Sequence, residues 1–177
     1  MDTRLFDYHL PPERIAQKSI EPRDAARMLV LDRASGLVDH KHVSDLVDEL
    51  RVGDVLVLND TKVFRARLKG KIGERAIELF LLRATSDREW EVLLKPGKYA
   101  HVGDEIVLGD IRVRVLEKGE VAKIWSDRDK FSLLAFSEAH GEIPIPPYVH
   151  TVPARLDQYQ TIYAREIGSV AAPTAGF

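Results

Sequence analysis

The spacing of apolar residues changes character along the first third of the chain. A short apolar run at 28–31 is followed by turn residues at 34–36, after which residues 37–42 could return as the second strand of a β-hairpin. Over 43–50 the apolar residues recur with the i, i+3, i+4, i+7 spacing of a short helix. The run 55–58 is continuously apolar and of strand length, which predicts a buried strand.

From residue 62 to about residue 126 the pattern becomes a series of short β-type runs separated by glycine or charged turns. Many short strands at close spacing are typical of a small barrel or sandwich. The runs that we expect to form strands are 63–69, 76–83, 89–95, 105–108, 111–117 and 121–126.

The last third alternates between short elements and irregular stretches. Residues 131–140 have a helical pattern, and the prolines within 143–148 require an extended backbone there, because proline fixes φ and restricts the residue before it. We expect a short helix over 156–164. Residues 168–177 consist mainly of small residues, and we expect them to form a loop.

Composition narrows the class of protein. Hydrophobic residues make up 45% of the 177 residues and charged residues 31%, so a packed core is expected rather than disorder. No apolar run reaches the roughly 20 residues that span a bilayer, and no signal peptide is recognisable, so we expect a cytoplasmic protein with no membrane partner. There is no cysteine, which removes disulfides and thiolate chemistry. The net charge of −2 means that any contact with nucleic acid must come from a local patch.

The common catalytic and metal-binding signatures are missing. The sequence contains no dinucleotide-binding glycine motif, no phosphate-binding lysine loop and no nucleophile elbow. His40 and His42 would share one face of a strand, but no third ligand is evident nearby. We therefore expect solvated histidines and no metal.

The clearest local charge pattern follows residue 62. In an extended strand alternate side chains share a face, so Phe64, Ala66 and Leu68 would point one way. The basic residues on the opposite face would stand about 6.6 Å apart, a spacing suited to a phosphodiester backbone. An ordinary solvated barrel face explains the same pattern, and both interpretations stay open. The four residues of this basic stripe are Arg65, Arg67, Lys69 and Lys71.

The tail is unusually rich in hydroxyl and amide side chains. Residues 157–164 carry most of them, and the small residues of 168–176 would let backbone amides approach a ligand closely. A polar helix end followed by a connecting loop would have the same composition. From the residues alone the tail is a candidate binding site and no more.

Several strings in a fixed order identify a family. The chain resembles the tRNA ribosyltransferase-isomerases of queuosine biosynthesis over essentially its whole length. The most specific string is the last pair, Tyr159-Gln160-Thr161-Ile162-Tyr163-Ala164 with the small-residue loop. The strings lie at 15–17, 21–27, 58–63, 66–68, 143–148, 159–164 and 168–176.

The resemblance implies a fold and a length. It implies a mixed α/β base domain, formed by 1–63 and 145–177, with a small antiparallel β-barrel-like domain inserted at 64–144. That insertion agrees with the β-rich middle read from the pattern. Members of the family are about twice as long, so the base domain is expected to be incomplete. The missing C-terminal half is then an expected partner, in cis or as a second chain.

The resemblance also implies a reaction. The ribosyl part of S-adenosylmethionine is transferred to 7-aminomethyl-7-deazaguanine in tRNA and isomerised to give epoxyqueuosine. S-adenosylmethionine serves as ribosyl donor, tRNA is the partner, and no metal is required. We expect the 177-residue chain alone to be inactive. A non-catalytic RNA-binding or partner-binding module derived from the family is the alternative.

Two sets of residues follow as candidate sites. Arg65, Arg67, Lys69 and Lys71 are expected to contact RNA. Arg23 and Arg27 have either a structural or an RNA-binding role, and we favour the structural one. The residues expected to line the substrate site are Asn59, Asp60, Thr61, Arg67, Tyr159, Gln160, Thr161, Tyr163, Ser169, Pro173, Thr174 and Gly176.

Overall fold

The architecture is described from a computed structural model. It covers residues 1–145, 148–150, 156–171 and 176, with no side-chain description for 156 and 157. Within these residues no helix is long and apolar enough to cross a membrane. The strands and α-helices follow in the order β1 (Arg27–Leu31), β2 (Val38–His42), α1 (Leu46–Glu49), β3 (Thr61–Val63), β4 (Arg67–Ile72), β5 (Arg75–Ala84), β6 (Glu89–Lys95), β7 (Glu105–Leu108), β8 (Ile111–Glu117), β9 (Ala122–Ser126), α2 (Lys130–His140) and β10 (Glu166–Ser169).

The hairpin and helix expected near the start are confirmed. β1 and β2 pair antiparallel, with Leu31 opposite Val38 at the turn. Gly36 has φ of 73° in that turn, a left-handed conformation that a glycine adopts without steric cost. A short 3₁₀ turn at Val43–Asp45 leads directly into α1, so most of the segment 43–50 is helical, as its spacing predicts.

The β-rich middle is a closed antiparallel barrel with the strand order β4-β5-β6-β9-β8-β7. Its strands alternate buried and exposed positions, as the pleat requires. The buried positions meet inside the barrel and form its core, which includes Leu68, Leu79, Leu81, Val92, Ile106, Val113 and Ile124. The mixed architecture with a small barrel, expected from the resemblance, is therefore confirmed.

Closure of the barrel depends on Gly70. β4 and β7 meet at Lys71 and Val107, which joins the first barrel strand to the last in the ring. A Cβ on Gly70 would stand 2.6 Å from Leu108 Cδ2 and 2.7 Å from the Val107 carbonyl oxygen. Glycine is required here because the two strands approach too closely for any side chain.

Helix α2 covers the barrel and brings the two ends of the barrel segment together. Leu133 is fully buried in the barrel core, and the Ser137 hydroxyl donates to the Arg65 carbonyl oxygen at 2.5 Å. Arg67 and Glu142 exchange backbone hydrogen bonds of 3.2 and 2.8 Å. The ends of the barrel segment are therefore neighbours. The exact division into 64–144 and its flanks stays a prediction.

Outside the barrel, β3 and β10 form a parallel pair. Thr61 lies opposite Glu166 and Lys62 opposite Ile167, with an irregularity before Ser169 reaches Val63. Part of the loop expected at 168–177 is thus strand, because Gly168 and Ser169 continue β10. Val170, directly after β10, packs against the barrel core and ties this pair to the barrel.

The buried strand expected at 55–58 was wrong. Val55 and Val57 are 85% and 86% exposed, and the segment is not a strand. Among the described residues the segment makes no backbone hydrogen bond, so no ladder partner supports it. An apolar run reports a preference for burial in a sheet, but the sheet itself must come from other segments.

Two further boundaries differ from the sequence expectation. The run 63–69 is not one strand, since β3 ends at Val63 and the backbone turns tightly, with Ala66 N–H donating to the Phe64 carbonyl at 2.8 Å. The helix expected over 156–164 is a single 3₁₀ turn at Leu156–Tyr159. In both cases contacts distant in sequence override the local preference.

Candidate functional site

Hydrogen bonds of the Gln160 side chain join the tail to strand β3. Its side chain is buried, its Oε1 accepts from Val63 N–H at 2.9 Å, and its Nε2 donates to the Val63 carbonyl at 2.5 Å. One amide group thus satisfies both polar groups of a buried residue in the way that a neighbouring strand would. Arg23 donates in turn to the Gln160 carbonyl oxygen, which supports a structural role for that arginine.

The segment Asn59-Asp60-Thr61 forms the entrance to β3. The Asn59 side-chain oxygen accepts from Thr61 N–H at 3.0 Å, an Asx turn that starts the strand. Arg165 holds Asp60 twice, with its backbone N–H 2.7 Å from the Asp60 carbonyl and its guanidinium 3.1 Å from Asp60 Oδ2. The segments before β3 and before β10 are therefore fixed to each other.

The side-chain hydroxyl of Thr161 differs from the other polar groups of this region in its hydrogen bonding. The side chain is only 4% exposed, and among the described residues its Oγ1 has no hydrogen-bond partner. The Tyr163 hydroxyl stands nearby and donates to the Gly176 carbonyl at 3.3 Å. A Cβ on Gly176 would come within 2.5 Å of that hydroxyl and 2.8 Å of Thr161 Cγ2, so only glycine fits against this pair.

Tyr159 and Ser169 serve local structure in this arrangement. The Tyr159 hydroxyl donates to the Pro144 carbonyl at 3.1 Å. Burial raises the pKa of Tyr159, with a smaller contribution from Tyr148, so the phenol remains a neutral donor at ordinary pH. The Ser169 hydroxyl bonds both backbone groups of Ala171, at 3.1 and 2.6 Å.

The fold brings most of the predicted substrate-site residues to one region. Contacts among β3, β10 and the tail unite Asn59, Asp60, Thr61, Tyr159, Gln160, Thr161, Tyr163, Ser169 and Gly176. Arg67 lies instead on the first barrel strand, paired with Phe80 and bridged to Glu142. Pro173 and Thr174 lie outside the described residues. The substrate-binding role of all these residues stays a prediction.

The predicted basic stripe is divided in the structure. Phe64, Ala66 and Leu68 are buried, as the alternation required. On the other face, the Arg65 guanidinium donates to the Gly141 carbonyl at 3.2 Å, and Lys69 forms an ion pair with Glu142. Two of the four cations therefore already have protein partners. An RNA-binding role for the stripe stays a prediction.

Sequence reasoning missed that Gln17, within the family string 15–17, links the N-terminal segment to residues 148–150. Gln17 Nε2 donates to the Tyr148 carbonyl at 3.1 Å, and its Oε1 accepts from His150 N–H at 2.8 Å. Arg165 was also missed, although it stands between the two strings of the tail. No local pattern predicts the contacts of either residue, because their partners lie more than 100 positions away.

Comparison with known proteins defines the class to which this arrangement belongs. The family model described as queuosine biosynthesis protein matches residues 3–177. The chain belongs to this family.

Its relatives carry a more particular name. The chain is 47% identical to the S-adenosylmethionine:tRNA ribosyltransferase-isomerase of Moorella thermoacetica over 97% of its length, and 46% identical to that of Dehalococcoides mccartyi over 99%. It covers 52% and 53% of those two proteins, so it spans about half the length of the curated relatives that it matches. A crystal structure of the S-adenosylmethionine tRNA ribosyltransferase of Thermotoga maritima is 36% identical, with a TM-score of 0.40 over 75% of this chain and 47% of that one.

Among the described residues no group of three or more histidine, aspartate or glutamate side chains is arranged to hold a metal ion. The polar groups gathered at the tail are hydroxyls, amides and backbone carbonyls. Such groups suit recognition of a hydroxyl-rich organic ligand by hydrogen bonds.

Proposed function

We propose that this chain is the N-terminal part of an S-adenosylmethionine:tRNA ribosyltransferase-isomerase that acts in the cytoplasm. In this proposal residues 1–63 and 145–177 contribute to the base domain, and the barrel segment is inserted between them. The polypeptide that corresponds to the rest of the relatives' length supplies the other side of the substrate site.

The observation that carries the proposal is the buried hydroxyl of Thr161, which has no hydrogen-bond partner among the described residues. A buried hydroxyl without a partner costs free energy, and a hydrogen bond from a bound ligand would recover that cost. Thr161 lies in the most specific string of the family, and two residues near it in that string, Gln160 and Tyr163, are held by side-chain hydrogen bonds to Val63 and Gly176. We infer that Thr161 Oγ1 hydrogen-bonds a polar group of the donor or of the modified base.

The proposed reaction uses the electronic character of its donor. The sulfonium of S-adenosylmethionine acidifies the neighbouring C5′ protons, so a positioned general base starts the rearrangement. The ribosyl carbons are transferred to the aminomethyl group of the deazaguanine base in tRNA, adenine and methionine leave, and epoxyqueuosine forms. The residues of this chain hold the two substrates in attack geometry, which is worth about 7–11 kcal/mol when complete.

A fusion protein tests the proposal. Residues 1–177 are joined to the C-terminal half of the Moorella thermoacetica relative, and adenine and methionine release is measured with S-adenosylmethionine and tRNA bearing 7-aminomethyl-7-deazaguanine. We expect release that requires both substrates, together with an epoxyqueuosine mass shift in the tRNA. The intact Moorella thermoacetica protein is the positive control.

A folded fusion that binds tRNA but releases neither product would contradict the proposal. That outcome would favour the alternative, a non-catalytic RNA-binding module derived from the family.

A further inference from the structure

Two cationic side chains lie against the ring of Tyr99 at one end of the barrel. The Arg75 guanidinium carbon lies 5.2 Å from the ring centroid of Tyr99, and Lys98 Nζ lies 4.9 Å from the same centroid. Both distances are within the range of a cation–π interaction. We call Arg75, Lys98 and Tyr99 the Tyr99 clamp.

The clamp is built from two separate parts of the barrel. Arg75 begins β5 directly after the β4–β5 turn, and Lys98 and Tyr99 lie in the 3₁₀ turn Gly97–Tyr99 that follows β6. Ala100, next to Tyr99, is fully buried in the barrel core and anchors this turn. Arg67 begins β4, and the clamp lies at the opposite end of that strand. At the usual rise per strand residue, Arg67 and the clamp are about 17 Å apart.

Among the described residues, no carboxylate forms an ion pair with the two cations of the clamp. Several other barrel cations have carboxylate partners, as in Arg83 with Glu91 at 2.6 Å and Arg112 with Glu105 at 2.7 Å. Arg75 and Lys98 are exposed and, within the described part of the chain, form no ion pair.

Two more exposed lysines flank the clamp. Lys71 lies in β4 close to the β4–β5 turn, and Lys95 is the last residue of β6. Neither lysine forms an ion pair with a described residue. The carboxylates on these stretches are Glu74 and Glu78, so positive charge exceeds negative charge here. This surface shares Lys71 with the predicted basic stripe but excludes Arg65 and Lys69, which already have partners.

We propose that the Tyr99 clamp binds the sugar–phosphate backbone of RNA, at a distance from the substrate site. The inference rests on the proposed function, in which tRNA is the substrate. Exposed cations that form no ion pair with a described residue, gathered at one end of the barrel, match an extended polyanion. The ring holds both cations in place before binding, which lowers the entropy lost when they meet phosphates. Arg75 and Lys98 make the contacts, and Tyr99 positions them.

The test measures tRNA binding as a function of salt. Fluorescence anisotropy of a labelled tRNA transcript is recorded with the 177-residue chain and with the double variant Arg75→Gln/Lys98→Gln. Loss of two phosphate contacts should lower the slope of log K against log salt by about 1.5 and weaken binding at low salt by about tenfold or more. The matched control Arg83→Gln/Lys123→Gln removes the same charge from cations that have carboxylate partners, and its slope should stay close to that of the parent.

Variants of Tyr99 separate the role of the ring from that of the charges. Tyr99→Phe keeps the ring and should bind tRNA like the parent. Tyr99→Leu keeps an apolar side chain but removes the ring, and its affinity should fall by a few fold without loss of any charge. Equal affinities for Tyr99→Phe and Tyr99→Leu would overturn the positioning role.

Three results would overturn the RNA surface itself. The first is a folded Arg75→Gln/Lys98→Gln variant with the parent's salt slope, and the second is a parent chain that does not bind tRNA at low salt. The third is preferential binding of polyglutamate over tRNA, which would assign the surface to an acidic protein.

The fusion protein distinguishes this failure from failure of the proposed function. If the fusion protein with Arg75→Gln/Lys98→Gln is active and its KM for tRNA is unchanged, the proposed RNA contact of the clamp is wrong and the proposed reaction stands. If the fusion protein is inactive but its tRNA binding depends on the clamp, the proposed reaction is wrong and the RNA contact stands.

Discussion

At the scale of single residues, the neighbours Gln160 and Thr161 are both buried but differ in whether their side chains form hydrogen bonds. Gln160 satisfies both backbone groups of Val63, whereas Thr161 Oγ1 has no partner among the described residues. The first arrangement stabilises the fold, and the second costs free energy in the absence of a ligand. Stability and function therefore make different demands on two adjacent buried side chains.

Substitution of Thr161 tests this difference. Thr161→Val replaces the unpaired hydroxyl with a methyl group of similar size, so the free energy of unfolding of the chain should rise by about 1 kcal/mol in urea titrations. In the fusion protein the same change should lower kcat/KM by about tenfold, because the ligand loses a hydrogen bond. Thr161→Ser is the control, since it keeps the hydroxyl and removes a methyl group. A Thr161→Val protein that is less stable and equally active would refute the assigned role.

At the scale of secondary-structure elements, the barrel was the most predictable part of the chain. Its strands alternate apolar and polar residues and are separated by turn residues, so each can be recognised locally. The strand order was not predictable, because β6 pairs with β9 and β4 with β7, and these pairings join segments distant in sequence. The gathering of Arg75 and Lys98 around Tyr99 was missed for the same reason.

The segment 55–58 shows the opposite case. Its apolar run has the composition of a buried strand, but Val55 and Val57 are largely exposed, and no described strand pairs with the segment. For the candidate site, the family strings named most of the residues that converge, whereas Arg165 and the structural role of Gln17 became evident only from their contacts. Sequence pattern thus predicted the barrel strands well, but it did not predict which segments pair or where an apolar run lacks a partner strand.

Closure of the barrel at Gly70 can be tested by substitution. Gly70→Ala places a Cβ against the Val107 carbonyl and the Leu108 side chain, so β4 and β7 must separate, at a cost of about 1–3 kcal/mol. Denaturation followed by the fluorescence of Trp90 and Trp125, which lie in β6 and β9, reports on the barrel. Gly97→Ala is the control, since its Cβ meets no atom within 4 Å, and it should change stability by less than about 0.5 kcal/mol. Equal losses in the two variants would show that close approach at Gly70 does not govern closure.

At the scale of the whole molecule, burial is distributed unevenly. The barrel has a continuous apolar core, whereas large apolar side chains before β3 are exposed, including Leu5, Phe6, Val47, Val52, Val55 and Val57. Apolar side chains exposed in this number favour contact with a further polypeptide segment. The parallel pair of β3 and β10 indicates the same, since parallel strands are normally buried within a larger sheet. We expect the polypeptide matching the remainder of the relatives' length to pack against this surface and to complete the substrate site.

The most direct test of this account is an assay of the isolated 177-residue chain. It is incubated with labelled S-adenosylmethionine and tRNA bearing 7-aminomethyl-7-deazaguanine, and epoxyqueuosine is measured by mass spectrometry, with the fusion protein in parallel. We predict product with the fusion and none above background with the isolated chain, because part of a site retains little of the positioning that catalysis requires. Epoxyqueuosine formed by the isolated chain at the rate of the fusion would contradict the central claim that the substrate site is shared with a second half.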